Sequence, residues 1–74
     1  MSETVRKLLD LDRRLIRLRD QRIEAEQRGE ALAADAADHE QRSLDQARQD
    51  IRAAASDQEL NEYEEARHAA RINP

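Results

Sequence analysis

Cysteine is absent from this 74-residue chain, and glycine, proline and tyrosine occur once each, with no phenylalanine or tryptophan. Without cysteine there is no disulfide framework, no thiolate zinc site and no cysteine nucleophile. Small secreted domains usually rely on such staples, so a cytoplasmic protein is expected. Long hydrophobic runs are missing too. The longest, Ala53 to Ala55, falls far short of the roughly 20 residues a membrane span needs. Leu8 and Leu9 are followed at once by Asp10 and Asp12, so no apolar signal region opens the chain and no membrane partner is expected.

Large apolar side chains are scarce as well. Of the 28 apolar residues 13 are alanine, leaving 15 larger ones. Fifteen such side chains cannot wall off a deep catalytic cavity, and at about 25 cal/mol per Å² of buried apolar surface they leave a monomer marginal against its ordering entropy. An enzyme is therefore not expected, nor a cofactor.

What the chain does have is charge, 41% of its residues, mixed in sign to a net −4. Alanine, arginine, glutamate, glutamine and leucine dominate. This is the palette of long helices and coiled coils rather than of disorder.

Ser2 is placed to cap a helix opened by Glu3, with acid at the positive end of the dipole. Beyond it, Val5, Leu8, Leu9, Leu11, Leu15, Ile16, Leu18 and Ile23 spread over about half the helix circumference at 100° per residue. One stripe, Leu8, Leu11, Leu15 and Leu18 with Ala25 and Leu32, suits a single antiparallel neighbour. A second, Val5, Leu9, Ile16 and Ile23, must face another partner.

Gly29 is either a C-cap or a helix-interior residue costing about 1 kcal/mol. Asp38 followed by Gln41 reads as a weak capping box. A turn near residues 35–39 gives arms of nearly equal length, about 3–34 and 39–72, and is the favoured path over a three-helix path turning at Gly29. The second arm is thin in core residues, with Leu44, Ala47, Ile51, Ala54 and Ala55 in a narrow stripe. Ser56-Asp57-Gln58-Glu59 is a better capping box and allows a restart that buries Leu60, Tyr63, Ala66 and Ala70. The sequence leaves open whether the arm breaks there or runs straight.

The fold class is thus all-α: a long antiparallel, coiled-coil-like hairpin, one domain over residues 1–74. In a matched hairpin residues 5–23 lie opposite roughly 51–69, too poor in large side chains to cover them. Self-association follows from that mismatch, most simply as a homodimeric four-helix bundle. The expected interface is Val5, Leu8, Leu9, Leu11, Leu15, Ile16, Leu18 and Ile23, with Leu15 inside the hairpin and Leu9, Ile16 and Ile23 toward the second chain.

Charge is unevenly divided, with eight basic and six acidic residues in 1–28 against five and eleven in 29–74. Arg6, Arg13, Arg14, Arg17 and Arg28 cluster on the polar face of the first helix. They form either a solvated ion-pair face or a phosphate-contacting ridge of an RNA-binding hairpin. That helix offers no aromatic to stack a base, so nucleic acid is the alternative and a protein partner the first reading. Candidate docking residues are Arg6, Arg13, Arg14 and Arg17 with Asp57, Glu59 and Glu62 of an acidic block. Glu65 and His68 spell E-x-x-H, the spacing of carboxylate-bridged di-iron bundles. Those sites also need a further glutamate and a second such motif that a dimer could supply, and one tetrapeptide in a glutamate-rich chain is weak evidence. His39, beside Asp35 and Asp38, reads as a turn residue, and no metal is expected.

Asp12, Leu15, Ile16 and Arg22 resemble the first helix of the all-helical chorismate mutases, in which an aspartate precedes two aliphatics by three and four positions and an arginine by ten. The resemblance implies a substrate-carboxylate role for Arg22. It covers about a dozen residues and then departs. Arg6 is one residue out of register for the N-terminal arginine, Ala33 stands where the catalytic lysine belongs, and no last helix supplies the glutamine. The shared pattern is read as amphipathic helix grammar. The expected function is a non-enzymatic, self-associating interaction or regulatory module.

Overall fold

The computed structural model describes residues 2–71, and these form three α-helices with no strand among them: α1 Glu3–Gln27, α2 Ala31–Ala54 and α3 Asp57–Ala69. α1 starts at Ser2, whose extended backbone leaves its hydroxyl to accept from the Val5 amide at 3.2 Å. It stops because Gly29 takes φ +71°. There the Gly29 amide donates to the Glu26 carbonyl (3.1 Å) and the Glu30 amide to that of Ala25 (2.9 Å). These two bonds are a Schellman motif, which satisfies the carbonyls a helix end leaves orphaned.

The expected turn at residues 35–39 is therefore wrong, because those residues lie well inside α2. Five alanines between Ala31 and Ala37 favour helix so strongly that the weak box at Asp38 has nothing to interrupt. The single matched hairpin falls with it, and no arm runs from 3 to 34. The second arm breaks as well, and its expected bound at residue 72 lies outside the described residues. Ala55 and Ser56 are extended, and α3 restarts on a complete capping box. In that box the Glu59 amide donates to the Ser56 hydroxyl (3.1 Å), while the Ser56 amide donates to Glu59 Oε1 (3.1 Å).

α2 returns antiparallel to α1, and α3 then runs alongside α1 in its direction. Val5, Leu8 and Tyr63 are fully buried and Leu9 nearly so, with Ile51 of α2 and Ala66 of α3 packed against them. This small core sits at the end where α1 begins. Farther along, beyond the reach of α3, the two long helices meet through Leu18 and Ala25 on one side and Ala34 and Ala37 on the other. Alanines there let the backbones approach closely with little side chain to bury.

α3 relieves the mismatch that a two-armed hairpin would have had, but only in part. Its 13 residues extend about 20 Å at 1.5 Å per residue, against about 38 Å for the 25 residues of α1. The whole molecule is 44 Å long. A three-helix bundle at one end thus opens into a bare two-helix hairpin at the other. Among the described residues no helix is long and apolar enough to cross a membrane.

Candidate functional site

Where α3 ends, four side chains from three helices converge. Asp12 of α1 is 5% exposed, the only charged residue among the described ones to be buried so far. Its Oδ1 lies 2.9 Å from Arg48 Nε of α2, and its Oδ2 accepts from the Tyr63 hydroxyl and lies 3.4 Å from Arg67 Nε of α3. Arg48 Nε also donates to the Tyr63 oxygen at 3.3 Å. The Arg67 guanidinium carbon stands 5.4 Å from the centre of the Tyr63 ring, within cation–π range. Asp45 and Glu64 approach the outer ends of Arg48 and Arg67 at 3.7 and 3.5 Å. A buried charge survives only when paired and hydrogen-bonded, and Asp12 is both.

Burial sets the titration of the neighbours. The Tyr63 hydroxyl is pushed above the ordinary tyrosine value of 10.0, first by burial and then by the hydrogen bond to Asp12. Burial opposes the charge on Arg48, but the Tyr63 hydrogen bond and the nearby Tyr63, Asp12 and Asp45 charges outweigh it and raise its pKa.

A cleft of about 250 Å³ opens beside this cluster. Leu15 and Ile16 form its apolar floor, Arg19, Gln41 and Arg42 stand along its sides, and Arg67 closes the end next to α3. Gln41 Oε1, buried on its wall, has no hydrogen-bond partner, and Arg67 Nε makes only the 3.4 Å ion pair with Asp12. The cleft continues the line of α3: it is the stretch of the α1–α2 groove that α3 does not reach.

The eight expected interface residues separate accordingly. Val5, Leu8, Leu9, Leu11 and Leu18 are buried within the chain itself. Leu9, expected to face a second chain, lies under α3 instead. Leu15 and Ile16 are half-buried in the cleft, and Ile23 is 41% exposed.

Of the docking candidates, Arg6, Arg13, Arg14 and Arg17 are exposed on α1. Arg14 and Arg17 line a shallower depression with Leu18, Gln21 and Glu40. Asp57 is exposed and Glu62 half-buried, whereas Glu59 is occupied by the α3 cap. The Ser56 backbone N–H, then the Thr4 side chain and more weakly those of Ser56 and Ser2, hold the Glu59 carboxyl below its ordinary range.

His39 sits exposed within α2 rather than in a turn, and Glu65 and His68 are both exposed on α3. No cluster of three or more potential metal ligands occurs among the described residues. Arg22 does not join Asp12, approaching instead Asp38 of α2 at 3.9 Å. Sequence reasoning missed Arg48, Arg67 and Tyr63 as partners of Asp12. The signal available was Asp12 itself, a charged residue three positions after Leu9 and four before Ile16, between two apolar residues of one helix face. The chain matches no protein family, no curated protein and no solved structure.

Proposed function

We propose that the chain is a non-catalytic interaction module that works as a homodimer, docking through the half of the α1–α2 groove that α3 leaves open. The observation that carries this reading is the length of α3, about half that of α1. It leaves Leu15, Ile16 and Ile23 on α1 without a covering helix. Leu15 and Ile16 are already half-buried and Ile23 is 41% exposed. Enclosing them against a second copy therefore adds only part of the roughly 1.5–3 kcal/mol that full burial of each gives, still a gain of consequence for so small a core. Two open halves packed together make a four-helix bundle. A cysteine-free chain held together by ion pairs and helix caps suits the reducing cytoplasm.

What favours binding over catalysis is the state of Asp12. The most buried carboxylate among the described residues accepts from Tyr63 and is ion-paired with Arg48 and Arg67, so it serves as a structural tie rather than a free base. Sedimentation equilibrium across micromolar concentrations tests the proposal. A dimer that dissociates on Ile23→Ser, with helicity retained, supports it, and a compact, cooperatively melting monomer throughout the range overturns it.

A further inference from the structure

Resting on the self-association just proposed, we infer that the two copies pack antiparallel, with the acidic tip of each hairpin lying against the arginine band of the other. On α1, Leu9, Asp12, Ile16, Arg19, Ile23 and Glu26 recur at alternating steps of three and four residues, which places them on one face. α3 covers the first two of these. Ile16 and Arg19 line the cleft, and Ile23 and Glu26 lie exposed beyond it. The uncovered part of the stripe therefore reads apolar, basic, apolar, acidic.

Charge along the molecule follows the same order. Residues 13–19 carry four arginines and no carboxylate, whereas residues 20–40 carry seven carboxylates against Arg22 and Arg28. The band and the tip are thus opposite in sign. A parallel pair sets arginine on arginine and acid on acid, and like charges in an interface oppose association. A two-fold axis near Ile23 instead brings Arg19 of each chain within a turn of the partner's Glu26, with the two Ile23 side chains between them. It also keeps each tip clear of α3, which ends at Ala69 beside the Asp12 cluster. The same arrangement lays an acidic helix end beside a cleft whose lining includes Arg19, with Arg42 and Arg67 there paired to Asp38 and Asp12.

The test is a charge exchange followed by sedimentation equilibrium. In the antiparallel pair, Arg19→Glu alone opposes two acids and Glu26→Arg alone opposes two arginines. Each variant should then associate about tenfold or more weakly than the unmodified chain, since two contacts change from attraction to repulsion. An equimolar mixture of the two should recover the original affinity as a heterodimer. Recovery on mixing itself shows that both variants are folded, and circular dichroism of each checks this independently. Raising the salt concentration should weaken the unmodified dimer. In a parallel pair residue 19 meets residue 19, so each variant alone merely exchanges one like pair for another and associates about as the unmodified chain does. The mixture then sets opposite charges together at both positions and associates more tightly than the unmodified chain. That result overturns the antiparallel arrangement while leaving self-association intact. A chain that stays monomeric overturns both.

Discussion

The Tyr63 hydroxyl donates to Asp12 Oδ2 over 2.5 Å although the two residues are 51 positions apart. That bond joins α3 to α1 at the level where Arg48 arrives from α2. One carboxylate therefore holds all three helices, and it does so at the boundary between the packed and open halves of the molecule.

Removing the carboxylate leaves two guanidiniums largely buried without their shared partner. Asp12→Ala should cost about 3–5 kcal/mol, which for a chain with so few core residues means largely unfolded protein at room temperature. Tyr63→Phe removes one donor and keeps the ring, at about 1–3 kcal/mol. Urea titrations of the two single variants and the double should give a combined loss smaller than the sum, because both changes break the same bond. Strict additivity would show the contact to be energetically idle.

Alkaline titration should read Tyr63 directly, since it is the chain's only tyrosine. Its pKa is raised on folding. Stability from this group is therefore fully present below the ordinary value near 10.0 and lost as pH rises through the folded value. Tyrosinate absorbance should show a midpoint above that of the urea-unfolded chain, accompanied by loss of helicity. A midpoint equal to the unfolded one would contradict the buried hydroxyl.

Glu59 predicts the opposite edge. Its pKa is lowered on folding, so its contribution is present above the ordinary value of 4.5 and lost as pH falls through the folded one. Glu59→Gln should melt with less dependence on acid than the unmodified chain. Ser56→Ala, which removes the capping hydroxyl, should cost about 1 kcal/mol at neutral pH. Thermal melts at several acid pH values distinguish the two effects.

Gly29→Ala should destabilise by about 1–2 kcal/mol through backbone conformation alone. A Cβ added there meets nothing within 4 Å, yet φ is +71°. Gly29→Asn should be milder, because asparagine tolerates the left-handed region. Equal melting of all three proteins would mean that the turn re-forms without the Schellman bonds.

Leu8 and Ile23 separate folding from the proposed association. Leu8 is fully buried in the chain's own core, so Leu8→Ala should cost about 2–5 kcal/mol at every protein concentration. Ile23→Ala should leave the diluted chain folded and lower only the concentration-dependent part of its melting temperature.

Helix content and the cap at Ser2 were legible because they depend on residues three or four apart. The capping box at Ser56 was visible for the same reason, although whether the arm breaks there stayed open. The turn was misplaced for a physical reason: equal arm length outweighed the one residue able to adopt a positive φ at low cost. Gly29 was the stronger evidence. The wide apolar arc of α1 was read correctly as needing two neighbours, but one of them is α3 of the same chain, covering Val5 and Leu9. Arg48 and Arg67 stayed hidden because, in a sequence so rich in charge, nothing local distinguishes a buried arginine from a solvated one. Their burial depends on where α3 lands, and that follows from the break at Ser56.

The short reach of α3 also implies a gradient of local opening along the long axis. Amides around Leu8, Ile51 and Tyr63 lie where three helices must separate together before solvent enters, so their hydrogen exchange should approach the rate set by global unfolding. Amides near Gln27 and Ala33 are held by two helices and few large side chains, so they should exchange through fraying that leaves the core closed. The chain thus carries its rigid end and its pliable end in fixed order, and the pliable one is the end that holds the unsatisfied surface.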